Sequence, residues 1–514
     1  MRSKHLGSGR VKSTRKLALF YAFAALALYG TLDADPQGYA WAPETSLPFS
    51  PILQSSPDKG RLNEVTLVRS NVKHGYFLFG YDSHQVQIPA NETIQRTWTP
   101  AQTRLLNDHE INLTREEARC QSYGYALPPN PRRRRLFMGA LVADDSLEVL
   151  SAVSAEAYDI FHTVAFVESN TTFTGRTPRG FRFGPGSGRQ HELYQLFGPG
   201  TKVSVDYYVS VPNDKIGERG NAREVLQRDA VQRRWHKNGM RPDDVAIFMD
   251  SDEAFTRDFL RAMQICDVPN FRPGQDCMAP KIMASTLVFE SSPECITKGR
   301  RWYHPDAVVG ECVELIGNST IHPHAKRQYR LNGKEESVGL RVPGQGMNVW
   351  TRGGSYSDFK TGPYPLWTAE DIRTGAPGTS KTKAGNLPTG YHFHNFFEDA
   401  HKFRFKYSTY GEPVPSKYKP IWKIHPDVAL AWDCATNEMD KIEPFAVGEN
   451  AEAVRPIYYL DDDARRRRHV RWKFIVEGEK ERFEGKWRAW RRRNGSNPNG
   501  KKGWCFENGV VVRC

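Results

Sequence analysis

Between residues 33 and 460 the chain lacks an excess of either charge: 50 Lys/Arg stand against 51 Asp/Glu, although the 514-residue whole is at +13. A nucleic-acid surface needs clustered cations, so this absence removes DNA and RNA as partners of the body of the protein. No Cys-x-x-Cys pair occurs among the eight cysteines, which argues against a structural zinc site. No internal repeat is present. The glycine-rich stretch Phe183–Gln190, FGPGSGRQ, lacks the Gly-Lys-Ser/Thr of a phosphate loop and reads as a plain loop. Long apolar runs are scarce too, and the main exception opens the chain.

The basicity sits at the two ends. Residues 1–32 hold six Lys/Arg and no acid, and residues 461–514 hold 16 Lys/Arg against 8 Asp/Glu. After the basic start, Leu17–Leu32 runs 16 residues without a charge. At about 1.5 Å per residue it covers roughly 24 Å, short for a ~30 Å hydrocarbon core but workable in a thin membrane. Its flanking cations place the N-terminus in the cytosol and everything after Asp33 in a lumen, as a signal anchor does. A cleaved signal peptide is the rival, against which there is no small-x-small site after Leu28. Five Asn-x-Ser/Thr sequons (Asn91, Asn112, Asn170, Asn318, Asn494) and an even cysteine count suit an oxidising lumen. Cys266–Cys277 and Cys295–Cys312 are the first pairs to try, because each closes a short Pro/Gly-containing loop, although sequence alone does not fix the connectivity. The Arg132–Arg135 run and the tail clusters Arg465–Arg468 and Arg491–Arg493 read as solvated, the tail as amphipathic or partly disordered.

Along the chain the expected order is a basic cytosolic tail (1–16), an anchor (17–32), a stem and N-terminal lobe (33–115), a catalytic domain (116–430) and a basic extension (431–514). Within the domain, Ser146–Phe161 has helical spacing and Thr163–Asn170 is an apolar strand. Lys202–Val211 alternates as a half-buried strand does. Ala222–Gly239 is an amphipathic helix with a glycine stop, Val245–Asp250 (VAIFMD) a fully apolar strand, and Thr256–Cys266 a second helix. Strands alternating with helices predict an α/β fold with a mainly parallel sheet, whose ligands lie at the carboxyl ends of the strands. Residues 280–410 show no such regularity.

One such strand end carries Asp250, Ser251, Asp252 and Glu253. Asp250 and Asp252, at i and i+2 where the chain leaves a sheet, can both reach one Mn²⁺ or Mg²⁺, which would complete its shell with substrate phosphates. The competing reading is an acidic turn that caps the next helix. A calcium loop fails, since Ala254 and Phe255 stand where an oxygen ligand and glycine belong. A dehalogenase-like phosphatase motif fails at Ala254. Later, GYHFHNFF (Gly390–Phe397) puts His392 and His394 on one side of an extended segment, and His392 is the candidate third ligand. His322 and His324 are a loop-borne alternative.

VAFVESNTTFTG (Val164–Gly175), REVLQRDAV (Arg223–Val231), RPDDVAIFMDSDEAF (Arg241–Phe255) and TGYHFHNFF (Thr389–Phe397) resemble, in order, the blocks of glycosyltransferase family 17. The resemblance covers roughly Cys120 to Tyr410. It implies a GT-A-like, Rossmann-type fold, a UDP-GlcNAc donor, a divalent metal, inversion at the anomeric carbon, an N-glycan acceptor and Golgi residence as a single-pass type II membrane protein. Carried over, Glu168, Ser169 and Asn170 lie where the first donor-binding strand ends. Arg223 and Arg228 lie on the helix before the metal strand, where Arg228 is expected to pair with phosphate. Asp250, Asp252 and His392 are the expected metal ligands, and Glu253 or Glu398 the base. Asn170, both sequon and site residue, is expected to be unglycosylated. Two rivals stay open at this stage: a non-catalytic lumenal glycan-binding protein on the same fold and a metal-dependent phosphohydrolase.

Overall fold

The structure is a computed structural model that describes residues 68–143, 146–210, 221–272, 281–317, 366–374, 388–406 and 455–472 apart from breaks of one or two residues, with Cys277 and two isolated hairpins. The apolar run Leu17–Leu32, the stem to residue 67, Asn318, His322, His324 and the tail cluster Arg491–Arg493 lie outside the described residues. Among the described residues no helix is long and apolar enough to cross a membrane.

In chain order, the hairpin β1 (Val68–Val72) and β2 (Gly75–Phe79) is followed by α1 (Pro100–Leu106) and α2 (Leu113–Ser122). Then β3 (Leu136–Val142), α3 (Leu147–Glu156), β4 (Thr163–Ser169), α4 (Gly188–Leu196), β5 (Lys202–Ser210), α5 (Asn221–Lys237) and β6 (Val245–Asp250) alternate. Beyond them come β7 (Glu253–Phe255), α6 (Arg257–Ile265), β8 (Ile282–Met283), β9 (Thr286–Glu290), β10 (Ile296–Trp302) and β11 (Asp306–Val309). The hairpin β12 (Ser337–Arg341) with β13 (Asn348–Arg352), then α7 (Ala369–Thr374), β14 (Gly390–His394) and the hairpin β15 (Trp504–Glu507) with β16 (Val510–Arg513) complete the order.

The four strands with continuous or near-continuous apolar runs lie parallel in the order β5-β4-β3-β6, buried on both faces as parallel strands must be. Antiparallel neighbours extend this sheet to eight strands, β1-β2 beyond β5 and β11-β8 beyond β6. The expected α/β class and mainly parallel centre are therefore present. Residues 75–79, read in sequence as part of an N-terminal lobe, pair directly with β5. That pairing makes β5 buried rather than half-buried: Tyr208 packs on Phe77, and Tyr207 on Phe181, so both of its faces are covered. Ser146, Ser187 and Thr256 cap α3, α4 and α6, and Gly239 follows α5 at φ +75°, a left-handed stop that costs glycine little.

A second sheet, in the order β10-β9-β14-β7, grows from the loop after β6. β14 runs parallel to β9 and antiparallel to β7, so that His392 is opposite Val288 on one side and Glu253 on the other. Two expectations fail at the periphery. Cys266, buried at the end of α6, is joined to Cys120 of α2, and Cys277 to Cys312. These bonds link packed elements 146 and 35 residues apart instead of closing the short loops expected; Cys295 is also disulfide-bonded, but not to Cys312. Nor is either arginine run wholly solvated. Arg134 donates to the carbonyls of Met263 and Cys266, and Arg135 pairs with Asp244. In the helix over residues 462–472, Arg468 and Trp472 are buried, and Arg468 donates to Ser291 O and Phe397 O.

Candidate active site

In chain order the parallel strands run β3, β4, β5 outward in one direction and β6 in the other, so the order reverses between β3 and β6. At such a reversal the connecting loops part and leave a crevice at the carboxyl ends. Asp250 closes β6 there, opposite Leu141 of β3. The chain then turns through Ser251 and Asp252 into β7, whose pairing with β14 carries the acidic motif to the histidine strand. The Phe393 N–H donates to Asp252 O at 2.7 Å and fixes that turn.

The result places one oxygen or nitrogen atom of each of Asp252, Glu253 and His392 within 4.8 Å of one another, a spacing that can surround a metal ion. Their surroundings differ. His392 Nε2 is 3.6 Å from Asp252 Oδ2, with the Asp252 side chain 22% exposed. Burial alone would push the Asp252 carboxyl up, but His392 outweighs it, with Lys406 and His394 adding, and holds it well below the usual carboxylate range. For His392 burial favours the neutral ring, yet Asp252 and then Glu253 raise its pKa. The buried His392 Nδ1 has no hydrogen-bond partner, and Trp302 lies across the ring with centroids 5.3 Å apart.

Glu253 is fully buried and occupied on both oxygens. Arg373 of α7 donates to Oε2 at 2.7 Å and to Oε1 at 2.8 Å, Trp302 Nε1 donates to Oε1, and the Asp250 N–H donates to Oε2 at 3.0 Å. The expected open base at position 253 is therefore a carboxylate already saturated by its own fold. Asp250, expected to share the metal, instead accepts from Arg373 Nη2 at 2.5 Å. It stands outside the convergent group. The acidic turn does not cap the following helix either, because that cap is Thr256, whose hydroxyl accepts from Phe259 N.

The other expected site residues are spread along the β4 and α5 side. The Glu168 carboxylate, at the carboxyl end of β4, accepts from the N–H groups of Arg182 and Phe183 and so holds the glycine-rich loop. Ser169 Oγ accepts from Thr171 N, and Asn170 Oδ1 from Ser210 N at 3.0 Å, which ties β4 to β5 past their ends. Arg223 donates to Phe173 O and Ser210 Oγ and braces the turn after β4. Arg228 pairs with Glu224 and stacks on Phe248 of β6. Glu398 pairs with Arg182 at 2.5 Å with its side chain 28% exposed, and thereby joins the glycine-rich loop to the segment after β14.

Arg373, Trp302 and Lys406 were not reached from the sequence. Arg373 lies in a helix of six residues, too short to show periodicity, and meets the motif across 120 residues of chain. No local signal marks it.

Residues 95–272 match the model of glycosyltransferase family 17. They form a family 17 glycosyltransferase domain. The protein is thus a glycosyltransferase, a class that uses an activated sugar donor and a sugar-accepting partner. A search of curated proteins found no match to the chain. The matched stretch contains Asp250, Asp252 and Glu253 but ends before Arg373 and His392, which the fold adds to the family 17 motif.

Proposed function

We propose that this glycosyltransferase is a metal-dependent, inverting enzyme of GT-A type that moves N-acetylglucosamine from UDP-GlcNAc onto a mannose of an N-glycan. The observation that carries the reading is the Asp252–His392 pair: a part-exposed carboxylate and a buried imidazole that converge at the switch point of a family 17 domain. The residues present fit a cation. The Asp252 carboxyl is held well below the usual carboxylate range, His392 Nε2 faces it at 3.6 Å, and oxygen plus one imidazole suits Mn²⁺ or Mg²⁺. When bound, such an ion stabilises the charge on a departing UDP diphosphate.

Asp252 and His392 would hold that ion, and β7 and β14 fix their separation. The acceptor hydroxyl oxygen attacks the anomeric carbon as the bond to UDP breaks, and its proton passes to a carboxylate. Glu398 suits that part better than Glu253, since its carboxylate is partly exposed whereas Glu253 is buried and bound on both oxygens. Glu168, Ser169 and Asn170 hold the ends of β4 and β5 and the glycine-rich loop, a wall that would face the donor, and Arg223 and Arg228 brace it. Leu17–Leu32 would anchor the chain in the Golgi membrane as a single-pass type II protein, with this domain in the lumen.

The test is transfer of label from a panel of UDP-sugars to N-glycan acceptors by the full chain, with and without Mn²⁺. Metal-dependent transfer from UDP-GlcNAc that falls by about 10²–10³ in Asp252→Ala is the expected result. Transfer within about tenfold of wild type in that variant would sink the proposal.

A further inference from the structure

Three carboxylates of one turn, Asp250, Asp252 and Glu253, and a fourth, Asp306 of β11, meet two basic side chains, Arg373 and His392, near the switch point. Cations from outside the turn decide their fate. Arg373 is 5% exposed and binds Glu253 through two parallel hydrogen bonds, reaches Asp250 Oδ2 at 2.5 Å and lies 3.7 Å from Asp306. Asp306 has its own partners in Lys281, at 3.0 Å, and His304, at 2.5 Å. Among the described residues, Asp252 alone of the four meets no arginine or lysine within salt-bridge distance, and it turns toward His392.

Arg373 is not a flexible surface cation that happened on these acids. Its helix is pinned at both ends: Ala369 N–H donates to Gln232 Oε1 of α5 at 3.1 Å, and Lys281 Nζ donates to Ile372 O at 2.7 Å. Just before the helix, Trp367 N–H donates to Cys312 O at 2.7 Å and Trp367 Nε1 to Cys277 O at 2.9 Å, so the segment is fastened to the Cys277–Cys312 disulfide. A guanidinium fork held this way matches a carboxylate bidentately, which a point charge on a flexible stem does not.

We infer that Arg373 is a positioning residue that decides which carboxylate of the motif meets a divalent cation: it neutralises Glu253 and Asp250 and leaves Asp252, with His392, as the open pair. The inference rests on the proposed metal site and adds to it a division of labour within the acidic turn. Without the guanidinium, Asp250 and Glu253 become two adjacent uncompensated carboxylates, themselves a hard oxygen site for Mn²⁺. Removal of Arg373 should therefore move the ion and not simply weaken its binding.

The experiment is Mn²⁺ titration of the full chain, followed by the electron paramagnetic resonance signal of the free ion, with Asp252→Asn placed in the wild-type and Arg373→Met backgrounds. In the wild type, Asp252→Asn should weaken Mn²⁺ binding at least tenfold; in Arg373→Met the same change should cost less than threefold, because the neighbouring pair now holds the ion. Arg373→Met/Glu253→Gln, which removes both charges and keeps the volumes, should return the dependence on Asp252. A tenfold or larger effect of Asp252→Asn in Arg373→Met would overturn the inference. Should Arg373→Met fail to fold, Arg373→Gln serves in its place: it removes the charge but keeps hydrogen-bonding groups, and an Asp252 dependence of tenfold or more in that background would equally overturn it. Mn²⁺ binding by Arg373→Met but not by the wild type would retire the proposed metal site yet keep the role of Arg373, whereas binding by neither would end both.

Discussion

Asp206 on β5 and Asp252 just past β6 each face a basic side chain from another element, and the two pairs have opposite characters. Asp206 is fully buried, with Arg234 Nε donating to one oxygen at 2.9 Å and Gly80 N–H donating to the other at 3.0 Å, while Arg234 also donates to Gly80 O. Burial dominates there and raises the Asp206 pKa, with Arg234 opposing it. Asp252 is partly exposed, its imidazole is 3.6 Å away, and its neighbours overcome burial to lower its pKa. A closed pair welds β2 to the sheet. An open pair at a strand end keeps coordination capacity for something from outside.

The largest effect expected from this contrast is on stability, at the closed pair. Arg234→Met leaves Asp206 buried beside a single N–H donor and should cost about 3–5 kcal/mol, the usual loss when one partner of a buried ion pair is removed. Asp206→Asn/Arg234→Met should recover most of it, and urea denaturation of the three proteins measures the difference. A loss under about 1 kcal/mol would erase the distinction between the pairs. At the open pair the loss should fall on activity instead. Asp252→Ala should lower kcat/KM for sugar transfer by about 10²–10³, the scale seen when one stabilising group for a developing charge is deleted, with a melting temperature within about 2 °C of wild type.

The pH response separates a third acid from both. Glu156 accepts from Ile457 N–H at 2.7 Å and Arg257 N–H at 2.8 Å, so one buried carboxyl joins α3, α6 and the segment after residue 455. Burial pushes it from 4.5 up to about 7, against those two donors and the Arg257 charge. The fold thus favours the protonated carboxyl. Its contribution is complete below the unfolded value near 4.5 and is lost as pH rises through about 7. Glu156→Gln cannot ionise, so between pH 4.5 and 7.5 the wild type should lose up to about 3 kcal/mol relative to this variant. Parallel pH profiles of melting temperature for the two proteins would refute the assignment.

The same contrast explains what the sequence discloses. β3, β4 and β6 are buried on both faces, so their apolar runs announce parallel strands without help from the rest of the chain. The Asp-x-Asp turn is equally local. The second sheet is hidden because β7 has three residues and its partner β14 begins at Gly390, more than a hundred residues later. The sharing of the acids is hidden for the same reason, since Arg373 decides it from a six-residue helix. Cysteine pairing misleads when judged by loop length, because Cys120 and Cys266 meet through the packing of α2 on α6. Arg465–Arg468 has the composition of a solvated tail, yet helical spacing turns Arg468 inward while Arg466 and Arg467 stay exposed. Where an arginine points depends on the surface it meets, which composition does not contain.

The smallest expected effect lies closest to the site. Thr256, four residues after Asp252, caps α6 through its hydroxyl, and an acidic N-terminal turn was the structural alternative to metal binding for Asp250–Glu253. If capping were the purpose of those acids, their removal would destabilise α6. The hydroxyl of Thr256 already accepts the Phe259 N–H, and Asp258 supplies the negative charge that suits a helix start. Thr256→Ala should therefore cost about 1 kcal/mol of stability, as loss of an N-cap commonly does, and leave Mn²⁺ affinity within threefold. Asp252→Ala should do the reverse. The two variants share a five-residue stretch of chain, so any general disturbance of the turn would show in both measurements for both. A crossed result, with stability moved by one and metal binding by the other, separates the cap from the ligand and assigns the ion to Asp252, the residue of this turn paired with His392.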